Sequence, residues 1–204
     1  MPRHPGWPAR LRYGPVGLRP PRLRDSRAWS TLRIRNESWL EPWEPTSTEP
    51  WKLRHAAGAW PALHSSLRRY ARAGAMLPFV VTYGDRFVGQ LTVNNVVHGA
   101  LRSAHIGYWV DQSVAGRGII TAAVALATDH CFGTVGLHRV QVDIRPENAA
   151  SRRVVDKLGF REEGYLVRYL DIDGAWRDHV SYALTTEDVP GGLVRRLNPP
   201  RHPS

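Results

Sequence analysis

The chain has 204 residues, 42% of them apolar, and a formal net charge of +10. That is enough for one domain with a real core, while no run reaches the roughly 18 apolar residues of a membrane span. One cysteine, Cys131, rules out an intramolecular disulfide and a cysteine metal cluster, and nothing else in the chain suggests a metal site. The basic N-terminus has no apolar stretch behind it and does not read as a secretory signal. These absences favour a cytoplasmic protein. Nearly all the positive charge is arginine, since lysine occurs only at 52 and 157. Nine arginines and a single acid, Asp25, fall within residues 1–35. Such an excess attracts polyanions.

In chain order, residues 1–17 are rich in proline, glycine and arginine without an apolar period, and read as a basic flexible arm. Asp25 or Ser26 can cap a helix that carries Trp29 and Leu32 and stops before the prolines of 41–45. A second helix fits 60–74. After Pro78 the period changes to two: 79–83 and 86–93 read as strands around the hairpin signal Gly84-Asp85. Strands follow at 104–110 and 138–144, and 165–172 and 176–184 flank a second hairpin signal, Asp173-Gly174. Helices fit 118–134 and 148–158. Residues 187–204 read as a second flexible basic tail, leaving 18–186 as the domain. The fold class is mixed α/β, with an antiparallel meander and a strand–helix–strand crossover.

Two segments carry possible chemistry. In Trp109-Val110-Asp111-Gln112-Ser113-Val114-Ala115-Gly116-Arg117-Gly118-Ile119-Ile120 a strand runs through a glycine loop into a helix. Unpaired N–H groups at a helix start, with glycines beside them, suit a pyrophosphate, and Arg117 adds charge. A plain strand-to-helix turn has the same pattern. In the second segment, Asn148 starts a helix, Ser151 lies one turn in and Gly159 ends it. Asn148 and Ser151 either face a ligand channel or serve the helix alone. Cys131 falls on an apolar helix face and reads as core. His179 and Asp178 are strand neighbours on opposite faces, so they do not orient each other.

Taken together, Ile106-Gly107-Tyr108-Trp109-Val110-Asp111, Gly116-Arg117-Gly118-Ile119-Ile120-Thr121, Asn148-Ala149-Ala150-Ser151 and Leu158-Gly159-Phe160 resemble, in order and spacing, the GNAT acetyltransferase superfamily. The likeness is to its RimJ/RimL-like ribosomal-protein N-acetyltransferase branch. Trp39-Leu40 and Trp176-Arg177-Asp178-His179 are similar to it too. The resemblance implies the GNAT fold, a mostly antiparallel sheet flanked by helices, and acetyl-CoA as co-substrate. Its pyrophosphate would lie on Ala115, Gly116, Arg117, Gly118, Ile119 and Ile120. Its pantetheine would add like a strand beside Tyr108, Trp109 and Val110, with Asn148 and Ser151 opposite. A backbone N–H near Val110 would polarise the thioester, and Ser151 would protonate the departing thiolate. Glu44 lies where the superfamily binds acceptors, as a base or amine anchor. His105 stands where relatives often carry glutamate, which makes it the candidate base, or leaves the task to a water relay. Ala115, Ile120 and Ala122 also depart from common family residues.

The implied reaction is direct attack of a primary amine, most simply the N-terminal α-amine of a ribosomal protein. Alternatives are a small amine (a polyamine, aminoglycoside or amino-acid derivative) or a catalytically inactive RNA- or ribosome-binding module. The expected partners are a protein N-terminus, weak RNA contact through the arms, no membrane, and a monomer or homodimer.

Overall fold

The computed structural model describes residues 6–197. In chain order the elements are β1 (Leu11–Tyr13), β2 (Val16–Arg19), α1 (Ser26–Arg35), α2 (Glu37–Leu40), α3 (Trp51–Arg54), α4 (Trp60–Arg72), β3 (Leu77–Tyr83), β4 (Arg86–Val97), β5 (Ser103–Val110), α5 (Ile119–His130), β6 (Arg139–Ile144), α6 (Ala149–Leu158), β7 (Arg161–Ile172) and β8 (Ala175–Thr185). The strands form one sheet in the order β1-β2-β3-β4-β5-β6-β8-β7. Every neighbouring pair is antiparallel except β5 and β6, joined by the α5 crossover. This is the expected mixed architecture with helices on both faces.

Both hairpin signals hold. Gly84 and Asp85, and Asp173 and Gly174, all have positive φ, as a two-residue turn between twisted strands needs. One face of the sheet packs on α5, whose Ala122, Ala123, Val124 and Ala127 are buried against Leu91, Val93 and Ile106. The other face carries an aromatic group built from α1, α3 and α4. There Trp29 lies 5.1 Å from Trp60, and Trp51 4.2 Å from His55.

Four expectations need correction. Residues 11–17 are not a loose arm: β1 and β2 continue the sheet, with Val16 and Leu18 fully buried and Val16 opposite Tyr83. Three or four residues are too few to show a period, and their ladder partner lies more than sixty residues away. The tail is likewise packed as far as Leu197. Val189 and Leu193 are buried, the Leu193 and Val194 amides donate to Asp129, and the Tyr13 hydroxyl donates to the Leu197 carbonyl at 2.7 Å. Residues 1–5 and 198–204 of the two expected arms lie outside the described residues. Finally, Asp25 does not cap α1. Its carboxylate is held by the Arg19 guanidinium (2.8 Å) and the Arg22 amide (2.7 Å). The first helix is also shorter than expected, breaking at Asn36 into the single turn of α2.

Candidate active site

The sheet opens between β5 and β6. Their pairing covers only Ser103, Ala104 and His105 against Arg139, Val140 and Gln141, while β5 runs on to Val110 and β6 to Ile144. Asp111 N–H still donates to Val88 on the β4 side at 2.8 Å. Because strand backbone groups alternate sides, the N–H and C=O of Tyr108 and Val110 point away from β4, into the gap. Such a free strand edge accepts an extended chain by main-chain hydrogen bonding.

A cavity of 470 Å³ fills this opening. Tyr108, Trp109 and Val110 form one side, and Ala115, Gly116, Gly118, Ile119 and Ile120 form its floor at the start of α5. Glu147, Asn148, Ser151, Arg153 and Lys157 line it from α6 and the turn before it, and Trp39, Trp43 and Glu44 close it from above. All the expected cofactor positions therefore meet in one place except Arg117, which is not part of the wall.

Gly116 and Gly118 both have φ of +77°, and Gly118 is the residue before the first turn of α5. A side chain there would be strained, since L residues rarely adopt that conformation. A Cβ at either would meet no protein atom within 4 Å. The glycines are thus needed for the turn, and the space beside them is open. No side chain caps α5, so its first N–H groups face the cavity unpaired, at the positive end of the helix dipole. Arg153 and Lys157, one turn apart on α6, add charge.

This loop is tied to α1. Asp111 accepts from Ser113 Oγ (2.5 Å), Arg35 (2.5 Å) and Asn36 Nδ2 (3.0 Å), and Asn36 Oδ1 accepts from the Gln112 amide (2.9 Å). Burial by itself would raise the Asp111 carboxyl, but these donors outweigh it and hold it below the usual carboxylate range. Trp39 Nε1 donates to the Val110 carbonyl at 3.2 Å, pinning α2 to the lip of the gap.

Of the three candidate catalytic residues, Ser151 lines the cavity. Its amide donates to Asn148 Oδ1 (3.0 Å), so Asn148 caps α6 as well as facing the cavity, and its carbonyl accepts from the Tyr108 hydroxyl (3.4 Å). Burial pushes the Tyr108 phenol up to about 12, so it stays a neutral donor. Glu44 also lines the cavity, but Arg33 Nη1 holds its Oε1 at 2.8 Å. That guanidinium is buried, packed over the rings of Trp51 and Trp109 and bonded to His55 Nε2 at 2.9 Å. The pairing fixes the Glu44 carboxylate in the roof of the cavity. His105 is not in the cavity wall. It lies beside the closed end of the gap, its Nδ1 3.0 Å from Asp143 Oδ2. His179 is buried and bonds the Arg177 carbonyl, whereas Asp178 serves Tyr165 and the Arg168 amide, so the two are separate. Cys131 is fully buried and its thiol is pushed up to about 12 by burial.

The roof has partners that local sequence reading does not reveal. Arg145 stacks on Trp43 and donates to the Pro42 carbonyl at 2.7 Å. The 44–46 segment is clasped to the β7–β8 hairpin tip by Asp173 N–H to the Glu44 carbonyl, Thr46 N–H to the Asp171 carbonyl and Thr46 Oγ1 to Asp171 Oδ1 (2.6 Å). Trp43, Arg145, Arg35 and Asn36 escaped the sequence reading because each works through a distant residue. Arg153 and Lys157 carried a usable signal in their helical spacing after Asn148.

The family model described as Acetyltransferase (GNAT) domain matches residues 16–161. The chain belongs to this family. It is an N-acetyltransferase, and its mixed sheet with flanking helices is the GNAT fold. The RimJ protein of Mycobacterium smegmatis, solved in complex with CoA-disulfide, matches at 55% identity and a TM-score of 0.92, covering 95% of each chain. The ribosomal-protein-S5-alanine acetyltransferase of Vibrio fischeri matches at 26% identity with a TM-score of 0.79, over 88% of this chain and 98% of its own. The [ribosomal protein uS5]-alanine N-acetyltransferase of Escherichia coli is 33% identical over 175 residues, 83% of this chain and 88% of its own. Among the described residues no group of side chains is placed to hold a metal ion, and no helix is long and apolar enough to cross a membrane.

Proposed function

We propose that this GNAT N-acetyltransferase moves the acetyl group of acetyl-CoA onto the N-terminal α-amine of a protein, with a ribosomal protein as the acceptor. The observation that carries the reading is the gap between β5 and β6, with an uncapped, glycine-led helix start at its base. The floor at 115–120 takes the pyrophosphate, and Arg153 and Lys157 supply charge. The pantetheine lies along the gap and bonds the free Tyr108 and Val110 edge. A free β5 N–H deeper in the gap than Val110 polarises the thioester carbonyl, where negative charge develops on attack.

The amine nitrogen attacks the carbonyl carbon, the new C–N bond forms and the C–S bond breaks. Ser151 donates a proton to the departing thiolate and regains one from solvent, and the amine gives up its own to His105, directly or through water. Glu44, fixed by Arg33, anchors the incoming amine as an ammonium before it loses its first proton to solvent. An α-amine titrates near roughly 7.7–8.0 and is partly neutral at pH 7, whereas a lysine at about 10.4 is not. The two carboxylates that line the cavity, Glu44 and Glu147, are paired with Arg33 and Arg145, which suits the easier nucleophile. The names of the similar proteins, alanine N-acetyltransferases of ribosomal proteins, support the same acceptor.

Two matched peptides test the reading: one with a free N-terminal alanine and no lysine, one N-terminally blocked with a lysine. Thiol release from acetyl-CoA is expected with the first only. Faster acetylation of the blocked peptide would overturn the α-amine assignment. Turnover with neither, but with a small polyamine, would replace the acceptor class.

A further inference from the structure

The closed end of the β5–β6 gap carries a polar group outside the cavity wall. His105 is the last residue of β5 paired to β6, opposite Gln141. Its imidazole does not stop at Gln141. It bonds diagonally to Asp143, two residues further along β6 and one step into the gap, at 3.0 Å. Asp143 is almost wholly buried, with 8% of its side chain exposed, while 30% of the His105 side chain is open. Gln141 Nε2 donates to the other carboxylate oxygen at 2.9 Å, and Ser181 of β8 donates as well. Burial by itself would raise the Asp143 carboxyl, yet these donors together hold it below the ordinary range.

A carboxylate can only accept, so the bond to Asp143 places the imidazole proton on Nδ1 and leaves the Nε2 lone pair for another proton. Strand alternation puts His105 on the same face as Trp109, the face covered by α1 and by Arg33, and away from the α5 side where the glycine loop lies. The titratable and charged groups nearby are Asp143 on β6, Tyr169 on β7 beside that carboxylate, His179 on β8 edge-on to Tyr169 at 5.7 Å, and Arg33 in front of Trp109. His105 alone combines exposure with a fixed, free lone pair. Residues 106–110 of the gap span roughly 13 Å at strand rise, a length that an extended pantetheine arm can occupy. The reactive end of the donor then lies within a few residues of His105, with the amine arriving from the Trp109 face.

We propose that Asp143 is a positioning residue for acetyl transfer: it fixes the His105 imidazole at the closed end of the gap, with Nε2 ready to take the proton the amine sheds. This rests on the acetyl-transfer reading above. When the C–N bond forms, the nitrogen's proton passes to Nε2, directly or across one water. The resulting imidazolium is stabilised by the buried carboxylate and returns its proton to solvent after product leaves.

The experiment pairs kinetics with a measurement independent of the acceptor. Asp143→Asn is expected to lower kcat on the alanine peptide about 10- to 100-fold, to leave acetyl-CoA affinity within twofold, and to move the acid limb of the pH profile to lower pH. His105→Gln keeps a hydrogen bond to Asp143 but takes no proton. It should lose the limb, with the double variant no worse than His105→Gln alone. In parallel, imidazole NMR of the free enzyme should show the His105 titration moving to lower pH in Asp143→Asn. If Asp143→Asn does not fold, the His105→Gln profile and the wild-type tautomer, read from the imidazole nitrogens, decide. A wild-type limb in His105→Gln, or a proton on Nε2 in place of Nδ1, would overturn the proposal. So would a folded Asp143→Asn enzyme with unchanged kcat and titration. Failure of the wild type on the peptide would instead sink the α-amine reading, and the NMR titration would still decide the pairing.

Discussion

The two walls of the cavity are built in different ways. The lower wall, residues 115–121 and 147–157, is made of two locally ordered pieces: a glycine loop leading into α5, and the start of α6 with Arg153 and Lys157 one turn apart. It works mainly through backbone N–H groups, so it depends on φ and on helix geometry. The upper wall, residues 39–44, is the end of α2 and a single 3-10 turn, too short to hold itself in place. It is held by pairs distant in sequence: Arg33 with Glu44, Trp39 with Val110, Arg145 with Trp43, Thr46 with Asp171. A backbone site tolerates most side-chain changes except at its glycines. A side-chain site fails wherever either member of a pair is lost.

The sharpest test of that contrast is Gly118→Val. A β-branched residue at φ +77° is strained, and it fills the space beside the unpaired helix N–H groups. Calorimetric titration is expected to show at least about a 100-fold loss of acetyl-CoA affinity, roughly 2.7 kcal/mol. Affinity equal to wild type would remove the loop from the cofactor site.

Asp111→Ala cuts the tie between the two walls. It removes the acceptor shared by Arg35, Ser113 and the Asn36 amide, which keeps its bond to the Leu32 carbonyl, and should cost about 1–3 kcal/mol in denaturant unfolding. The acid dependence has a definite sign. The folded carboxyl is held below its ordinary value, so its contribution is full above about pH 4 and fades as pH falls through the folded value. A variant as stable as wild type at pH 7 would show that the loop holds itself.

His55 gives the upper wall a pH dependence of its own, at higher pH than that of Asp111. Burial, and then the charge of Arg33, lower it from 6.5 to about 4. Between those values the unfolded chain binds the proton and the folded one does not, so stability falls as pH drops from about 6.5 to 4, by at most about 3 kcal/mol. Melting temperatures of wild type and His55→Gln across that window check this. Parallel curves would mean that His55 is charged in the fold.

Smaller effects separate the walls cleanly. Glu44→Gln should raise KM for the peptide about tenfold, roughly 1.4 kcal/mol, and leave acetyl-CoA affinity alone. Arg117→Ala should weaken acetyl-CoA only a few-fold, since its side chain is not part of the cavity wall. A reversal, with Glu44 governing the cofactor and Arg117 the peptide, would exchange the two roles.

The same division separates what was readable in the sequence from what was not. Short-range rules sufficed for the hairpins at Gly84-Asp85 and Asp173-Gly174 and for α5 and α6, because each signal is complete within one turn or one element; that Gly116, Gly118, Asn148 and Ser151 share one site was implied only by the family resemblance. Glu44 and His105 were legible as residues but not in their setting. The carboxylate could not be known to face Arg33, nor the imidazole to face Asp143, thirty-eight positions away. β1, β2 and the packed tail were missed for a related reason: segments of three or four residues carry no period, and their burial comes from β3 and α5.

By itself, then, the sequence determined the local backbone: where helices start and stop, where strands turn, and which N–H groups stay unpaired. Those outcomes follow from φ preferences and hydrogen-bond partners within a few residues. Only the tertiary structure decided how far β5 and β6 stay together before parting, and which charges meet across the gap. Those depend on the packing of whole elements, and no spacing along one chain encodes the distance between two strands joined by a helix.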